Sequence, residues 1–320
     1  MPTPQRSEHR NRLSELEDHP FLTDGGLETT LLFHEGWELP GFSSVPLATH
    51  EAGRAAIRTY YDRYLPLAYA HRAGFILESP TWRASPDWAE TIGYDLAALE
   101  QANRDAIALM AQIRADKETE TTPILISGCI GPRGDGYVAG ALMTPEEAER
   151  YHAWQVNILA DAGVDMISAF TFTNVPEAIG FTRAVAAAGV PCVISFTVET
   201  DGRLPTGDLL KDAIAAVDAA CKVKPAYYMI NCAHPSHFEP GLEAGAAWMK
   251  RVRGLRANAS KCSHAELDQA EELDTGNPDE LGREYRAILE RFPHITVLGG
   301  CCGTDHRHIA AISAARLETA

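Results

Sequence analysis

Apolar and polar residues alternate along this chain in blocks rather than one by one. Short apolar runs end in turn residues and lead into longer stretches with helical spacing. The runs cover residues 21–23, 74–77, 123–126, 165–170, 192–196, 227–230 and 295–298, with a weaker one at 254–257 that ends at Asn258. Near-continuous apolar runs of this length read as parallel strands buried on both faces. Between them, residues 49–73, 88–116, 145–162, 176–188, 209–221, 242–253, 278–291 and 306–316 are rich in Ala, Leu, Glu and Arg and read as helices. Thr144-Pro145-Glu146-Glu147 puts a capping residue before a first-turn proline, with acids after it. Eight such units in 320 residues predict a single-domain (β/α)8 TIM barrel. A doubly wound open sheet competes, but the first strand is not followed by the Gly-x-Gly-x-x-Gly loop that would favour it. Residues 1–19 are expected to form an N-terminal extension and 20–320 the barrel. The polar, acidic stretch 262–278 is expected to be an extended loop after the seventh strand.

Composition narrows the class. A hydrophobic share of 45% and a charged share of 22% suit a globular chain that buries a core without staples. The formal net charge of −16 argues against nucleic acid or an anionic membrane as a partner. Residues 1–20 show no apolar signal-peptide core, and no run of about 18 apolar residues appears. The seven cysteines are odd in number and irregular in spacing, which argues against a secreted disulfide framework. The expected compartment is the reducing cytoplasm. A helix-rich exterior leaves a homo-oligomer open.

The chemistry gathers near the C-terminus. Gly299-Gly300-Cys301-Cys302-Gly303 sets two adjacent thiols among glycines that let the backbone bend both sulfurs toward one point. In a barrel, functional residues sit at the C-terminal ends of the strands. That places Asp24, Cys232, Asn258, Cys301 and Cys302 together, so Cys232 is the candidate third thiol. Three cysteines with a vacant fourth position make a catalytic form of zinc site. With three thiolates such a site is a poor maker of hydroxide and a good holder of a further thiol. Its surplus negative charge suits a cationic methyl donor, so the chemistry predicted is S-alkylation of a small-molecule thiol. His234 or His237 could replace one thiol as ligand; otherwise they are substrate-lining or surface residues. Cys129, Cys192 and Cys221 read as small core residues, and Cys262-Ser263-His264 as solvated surface. Asp24-Gly25-Gly26 reads either as a strand-ending turn or as a carboxylate that holds an amino group. A non-catalytic metal-binding or redox protein is the competing class; it predicts a filled coordination sphere and no substrate-sized cavity.

These residues resemble the homocysteine S-methyltransferase family, which includes betaine– and S-methylmethionine–homocysteine methyltransferases. The resemblance runs from Phe21 to Ile312. It rests on Asp24-Gly25-Gly26, Ser127-Gly128-Cys129-Ile130-Gly131-Pro132, Ile194-Ser195-Phe196-Thr197, Asn231-Cys232 and the Gly299–Gly303 element, in that order. It implies zinc on Cys232, Cys301 and Cys302, which binds the thiolate of homocysteine, with methionine as product. It also implies a substrate site with Asp24 on the amino group and Thr81 of Thr81-Trp82-x-Ala84-Ser85 nearby. Gly25, Gly26, Asn231 and Asn258 are expected beside them. One departure matters. The fourth strand of well-studied members ends with a glutamate that helps to hold the amino group; here Phe170 or Thr171 falls at that place. Glu28 and Glu78 are the candidate replacements. A different small thiol or selenol therefore stands as the alternative acceptor, and the sequence does not name the methyl donor.

Overall fold

The computed structural model describes residues 19–317. Residues 1–18 of the expected N-terminal extension lie outside the described residues. Eight parallel strands close into a barrel: β1 (Phe21–Leu22), β2 (Gly74–Glu78), β3 (Ile124–Ile130), β4 (Met166–Phe172), β5 (Cys192–Phe196), β6 (Tyr227–Asn231), β7 (Val252–Ala257) and β8 (Val297–Gly300). β1 pairs with β8, so the sheet has no free edge. The single-domain barrel expected from the hydrophobic pattern is the fold observed.

The strands are apolar on both sides because both sides are packed. Outward residues such as Phe75, Leu77, Ile126, Ile167 and Ile230 are fully or almost fully buried under the helices. Inward residues Phe21, Ile76, Leu125, Met166, Val193, Met229 and Val297 fill the barrel. Each such side chain contributes about 1.5–3 kcal/mol by leaving water. Toward the C-terminal ends the interior turns polar: Glu78, Ser127, Ser168, Ser195, Asn231 and Arg256 are all buried, and Ser127 Oγ lies 2.7 Å from Ser168 Oγ. The period of two along each strand carries this change from apolar packing to chemistry.

Three local expectations are corrected. The helix expected over 49–73 is two helices, Glu51–Tyr61 and Leu65–His71, and the second opens with Pro66, which has no N–H to continue the first. The helix expected over 242–253 is only a short 3-10 turn, Ala247–Arg251, because Val252 already belongs to β7. The loop 262–278 contains one helical turn, His264–Asp268, capped by Ser263 and Glu266. The helix Pro145–Ala162 starts with the expected cap, Thr144 Oγ1 accepting from Glu147 N.

Candidate metal centre and substrate cavity

Cys232 follows β6 directly, and Cys301 and Cys302 follow β8. Backbone geometry brings them together. Cys232 has φ +53°, a left-handed conformation uncommon outside glycine, and it turns the chain at the strand end. Cys301 N donates to Ala257 O at 2.8 Å, and Ala259 N to Cys302 O at 3.1 Å, which ties the cysteine turn to the end of β7. Gly303 closes that turn at φ +78°. Gly26 has its own constraint: a Cβ there would stand 2.7 Å from Cys301 O.

The three sulfurs lie within 4.8 Å of one another. Cys232 Sγ and Cys302 Sγ are 3.9 Å apart, close to the ~3.8 Å edge of a tetrahedron with 2.3 Å zinc–sulfur bonds. Cys232 and Cys301 are joined as a disulfide, with their Cα atoms 5.4 Å apart. This corrects the expectation of three open thiols. Sulfurs steered to one point from such a Cα separation are within reach of pairing. The donor set fits zinc in number, type and convergence once that pair is reduced to thiolates.

Polar neighbours hold the cluster. Asn231 Nδ2 lies 3.8 Å from Cys301 Sγ, while its Oδ1 accepts from Ser195 Oγ at 2.6 Å and from Thr171 N at 3.0 Å. Tyr137 O–H donates to Cys302 Sγ at 3.4 Å, and its ring stacks on His264 at 4.1 Å. His264 Nε2 sits 2.7 Å from Cys232 O, and Asn258 Nδ2 donates to the same oxygen at 3.1 Å. His264 is thus buried against the cysteine turn, not solvated as expected. Burial pushes the Cys302 thiol above its ordinary range.

The cysteines border a cavity of about 420 Å³. Its walls include Asp24, Gly25, Gly26, Glu28, Glu78, Trp82, Cys129, Tyr137, Phe170, Thr171, Asn231 and Arg256. A space of this size suits a small molecule and disfavours a purely structural metal protein. Thr81 is fully buried, donates to Cys129 O at 2.7 Å and is not on the wall; its neighbour Trp82 is. Asn258 also lies behind the wall. His234 and His237 cap and follow the turn after β6 away from the cavity, with His234 Nε2 3.2 Å from Glu284. Cys129, expected in the core, is buried yet lines the cavity.

Asp24 lines the cavity and already has two neighbours. Its Oδ1 is 2.8 Å from Arg256 Nη2, and its Oδ2 accepts from Tyr60 O–H at 3.0 Å. Arg256, an inward residue of β7, was not among the residues expected. Its signal was available: β7 carries two arginines, Arg253 and Arg256, and Arg256 is the one buried. Glu28 accepts from Ser44 Oγ at 2.7 Å. Burial raises Asp24 despite Arg256, and burial lifts Glu78 to about 7 against the pull of the same guanidinium. On β4, Phe170 packs in the barrel interior with its ring 5.1 Å from the Arg256 guanidinium carbon. Thr171 has φ +56°, held by Asn231 and by Trp82 Nε1, which donates to its Oγ1 at 2.9 Å. Neither supplies the acid that the resemblance led one to expect.

A closed parallel barrel with a convergent thiol cluster on a small-molecule cavity defines a (β/α)8 enzyme built for chemistry at sulfur. The chain belongs to the homocysteine S-methyltransferase family, whose model matches residues 21–316, and it is a methyltransferase. It is 27% identical to the selenocysteine Se-methyltransferase of Brassica oleracea var. italica, across 91% of this chain and 87% of that one. It is 25% identical to homocysteine S-methyltransferase 4 of Zea mays, across 93% and 89%. In fold it resembles the homocysteine methyltransferase MmuM of Escherichia coli in its oxidized form, with TM-score 0.71 at 20% identity over 95% of this chain and 98% of that one. The metallated form of the same enzyme gives 0.69 at 19% identity, over 94% and 98%. Among the described residues no helix is long and apolar enough to cross a membrane.

Proposed function

We propose that this protein moves a methyl group from a cationic donor, a sulfonium or quaternary ammonium compound, to the thiol of homocysteine, giving methionine. Cys232, Cys301 and Cys302 would hold zinc. The observation that carries this reading is the convergence of three sulfurs within 4.8 Å on the wall of a small-molecule cavity. When bound there, zinc supplies the charge that keeps an acceptor's sulfur a thiolate at neutral pH.

The chain's own residues supply the rest. Asn231 and Tyr137 orient two of the sulfurs through hydrogen bonds. Glu28, Asp135, Asp268 and Asp274 line the cavity beside Trp82 and Tyr137. Acids and aromatic faces together attract a cation. In the transfer, a sulfur lone pair of the acceptor forms the bond to the methyl carbon. The donor's bond to that carbon breaks with its electron pair kept by the donor, which becomes neutral. The acceptor's thiol proton leaves to solvent, so no side chain needs to act as a base at carbon. The reading also places the protein in a reducing cytoplasm, since the Cys232–Cys301 pair must be open for zinc.

The test is zinc analysis of reduced protein followed by a donor panel. We expect about one zinc per chain and methionine from homocysteine with at least one of S-methylmethionine, S-adenosylmethionine or betaine. No methionine from any of the three would overturn the homocysteine reading. A selenol acceptor is the second reading, favoured by the likeness to a selenocysteine Se-methyltransferase. Selenocysteine methylated faster than homocysteine under the same conditions would select it.

A further inference from the structure

The reaction above leaves one buried cation unused. Arg256 is only 6% exposed, yet it lines the cavity. Three of its contacts fix the guanidinium in place: Nε donates to Gly300 O at 3.0 Å, Nη2 donates to Gly25 O at 3.1 Å, and Nη2 lies 2.8 Å from Asp24 Oδ1. The Phe170 ring packs against it. Its last nitrogen, Nη1, is buried with no hydrogen-bond partner among the described residues. Glu78 Oε2 is a second buried atom without one, on the same cavity.

A buried N–H of a charged group left without an acceptor is costly, and native structures rarely keep one without reason. Asp24 Oδ1 on the same cavity also lacks a hydrogen bond, but it lies 2.8 Å from Arg256 Nη2; the two atoms left without any such neighbour, Arg256 Nη1 and Glu78 Oε2, are complementary. One is a cationic donor and the other an acceptor, the pattern that a zwitterionic head group completes. Asp24 is already occupied by Arg256 and Tyr60, and Phe170 carries no charge. An acceptor gripped only through its ammonium would find the free Oε2 of Glu78 and leave the Nη1 of Arg256 unpartnered. Nε and Nη2 are committed to the protein, so one carboxylate oxygen would accept from the remaining Nη1, a charge-assisted hydrogen bond. A phosphate would bring further negative charge beside Glu28, Glu78 and Asp24 and is disfavoured.

We propose that Arg256 is the acceptor-specificity residue of this site: its guanidinium binds the carboxylate of an α-amino-acid thiol, and so aims the sulfur at the cysteine cluster. Glu78 takes the ammonium of the same head group. This rests on the S-methylation reading and goes beyond it by naming what the site recognises.

The experiment compares homocysteine with its decarboxylated analogue, an aminopropanethiol, as methyl acceptors of the zinc-loaded, reduced enzyme. For the wild type we expect loss of the carboxylate to lower kcat/KM by on the order of 10². Arg256→Lys preserves a positive charge beside Asp24 but loses the Nη1 donor, and should remove most of that preference while zinc content stays at wild-type level. Calorimetric binding of methionine and of its decarboxylated analogue to the wild type gives a readout that needs neither turnover nor a variant. Methionine should bind at least about tenfold tighter. Equal acceptor activity together with equal product binding would overturn the assignment and leave methyl transfer standing. A wild type that methylates neither thiol would overturn the methyl-transfer reading itself, and this inference with it.

Discussion

The cysteine cluster is positioned by backbone, whereas the charged cluster beside it is positioned by side chains. Cys232, Cys301 and Cys302 sit just past their strands, on turns set by a φ of +53° at Cys232 and of +78° at Gly303. Asp24, Glu78 and Arg256 instead reach into the barrel from β7 and from the ends of β1 and β2, and their charges balance against one another under nearly complete burial. Backbone placement is hard to alter by a single substitution, so the sulfur chemistry is fixed. Side-chain placement changes with each substitution, so recognition of the acceptor can drift while the reaction stays the same. Phe170 and Arg256 are where the charged cluster departs from the expectation: an apolar ring where an acid is expected, and a guanidinium where none is.

Removing a cysteine tests the first cluster and has the largest expected effect. Cys302 lies outside the disulfide, so Cys302→Ala leaves the Cys232–Cys301 pair able to form. Zinc bound by the reduced variant should fall to a small fraction of the wild-type content. Turnover should fall by more than the ~100-fold that loss of an outer hydrogen-bond partner costs a metal site. Metal analysis and methyl-transfer assays check this together. Retention of both zinc and turnover by Cys302→Ala would remove it from the ligand set.

The second cluster is tested by pH. Burial raises the folded carboxyl of Glu78 from 4.5 to about 7. Between those values the folded state holds a proton that the unfolded state has lost, so stability falls as pH rises through the window. The contribution is fully present below 4.5 and gone above about 7. Glu78→Gln keeps the hydrogen-bonding shape and cannot ionise. Compared at pH 5 and pH 8 by urea unfolding of metal-free, reduced protein, the wild type should lose on the order of 3 kcal/mol more than the variant. Identical pH dependence would show that the Arg256 charge is free to stabilise ionised Glu78, and not committed to Asp24.

The same contrast explains what could be read without coordinates. The barrel was legible because strands buried on both faces leave continuous apolar runs; what was misplaced lay between strands, at Val252, at Pro66, at the start of the helix Leu96–Lys117 and at the turn His264–Asp268. The cysteine cluster was legible because its backbone demands glycines at fixed neighbours, which leaves a local motif. The disulfide was not, since pairing depends on how the sulfurs meet in space. The Asp24–Arg256 pair was not legible either. The hydrogen bond that ties Arg256 to Gly25 spans 231 residues, and no spacing announces a contact across that distance. His264 was misread for a related reason: its polar loop folds back over the cysteine turn and buries it through a contact with Tyr137.

Tyr137 offers the smallest expected effect and the finest division between the two clusters. Its hydroxyl donates to Cys302 Sγ, but its ring also stacks on His264, which in turn meets the Cys232 carbonyl. Tyr137→Phe deletes only the hydroxyl. The stack remains, so the shape of the cysteine turn should persist and the variant should still bind about one zinc per chain. What is lost is a donor to one sulfur, an outer interaction whose removal weakens metal sites by ~10–100-fold. Zinc affinity measured by chelator competition should therefore drop near the low end of that range, with kcat nearly unchanged. The acceptor preference set by Arg256 should not move at all, because no atom of Tyr137 joins the charged cluster's hydrogen bonds. A Tyr137→Phe enzyme that lost its discrimination for the acceptor carboxylate would mean that the two clusters act as one.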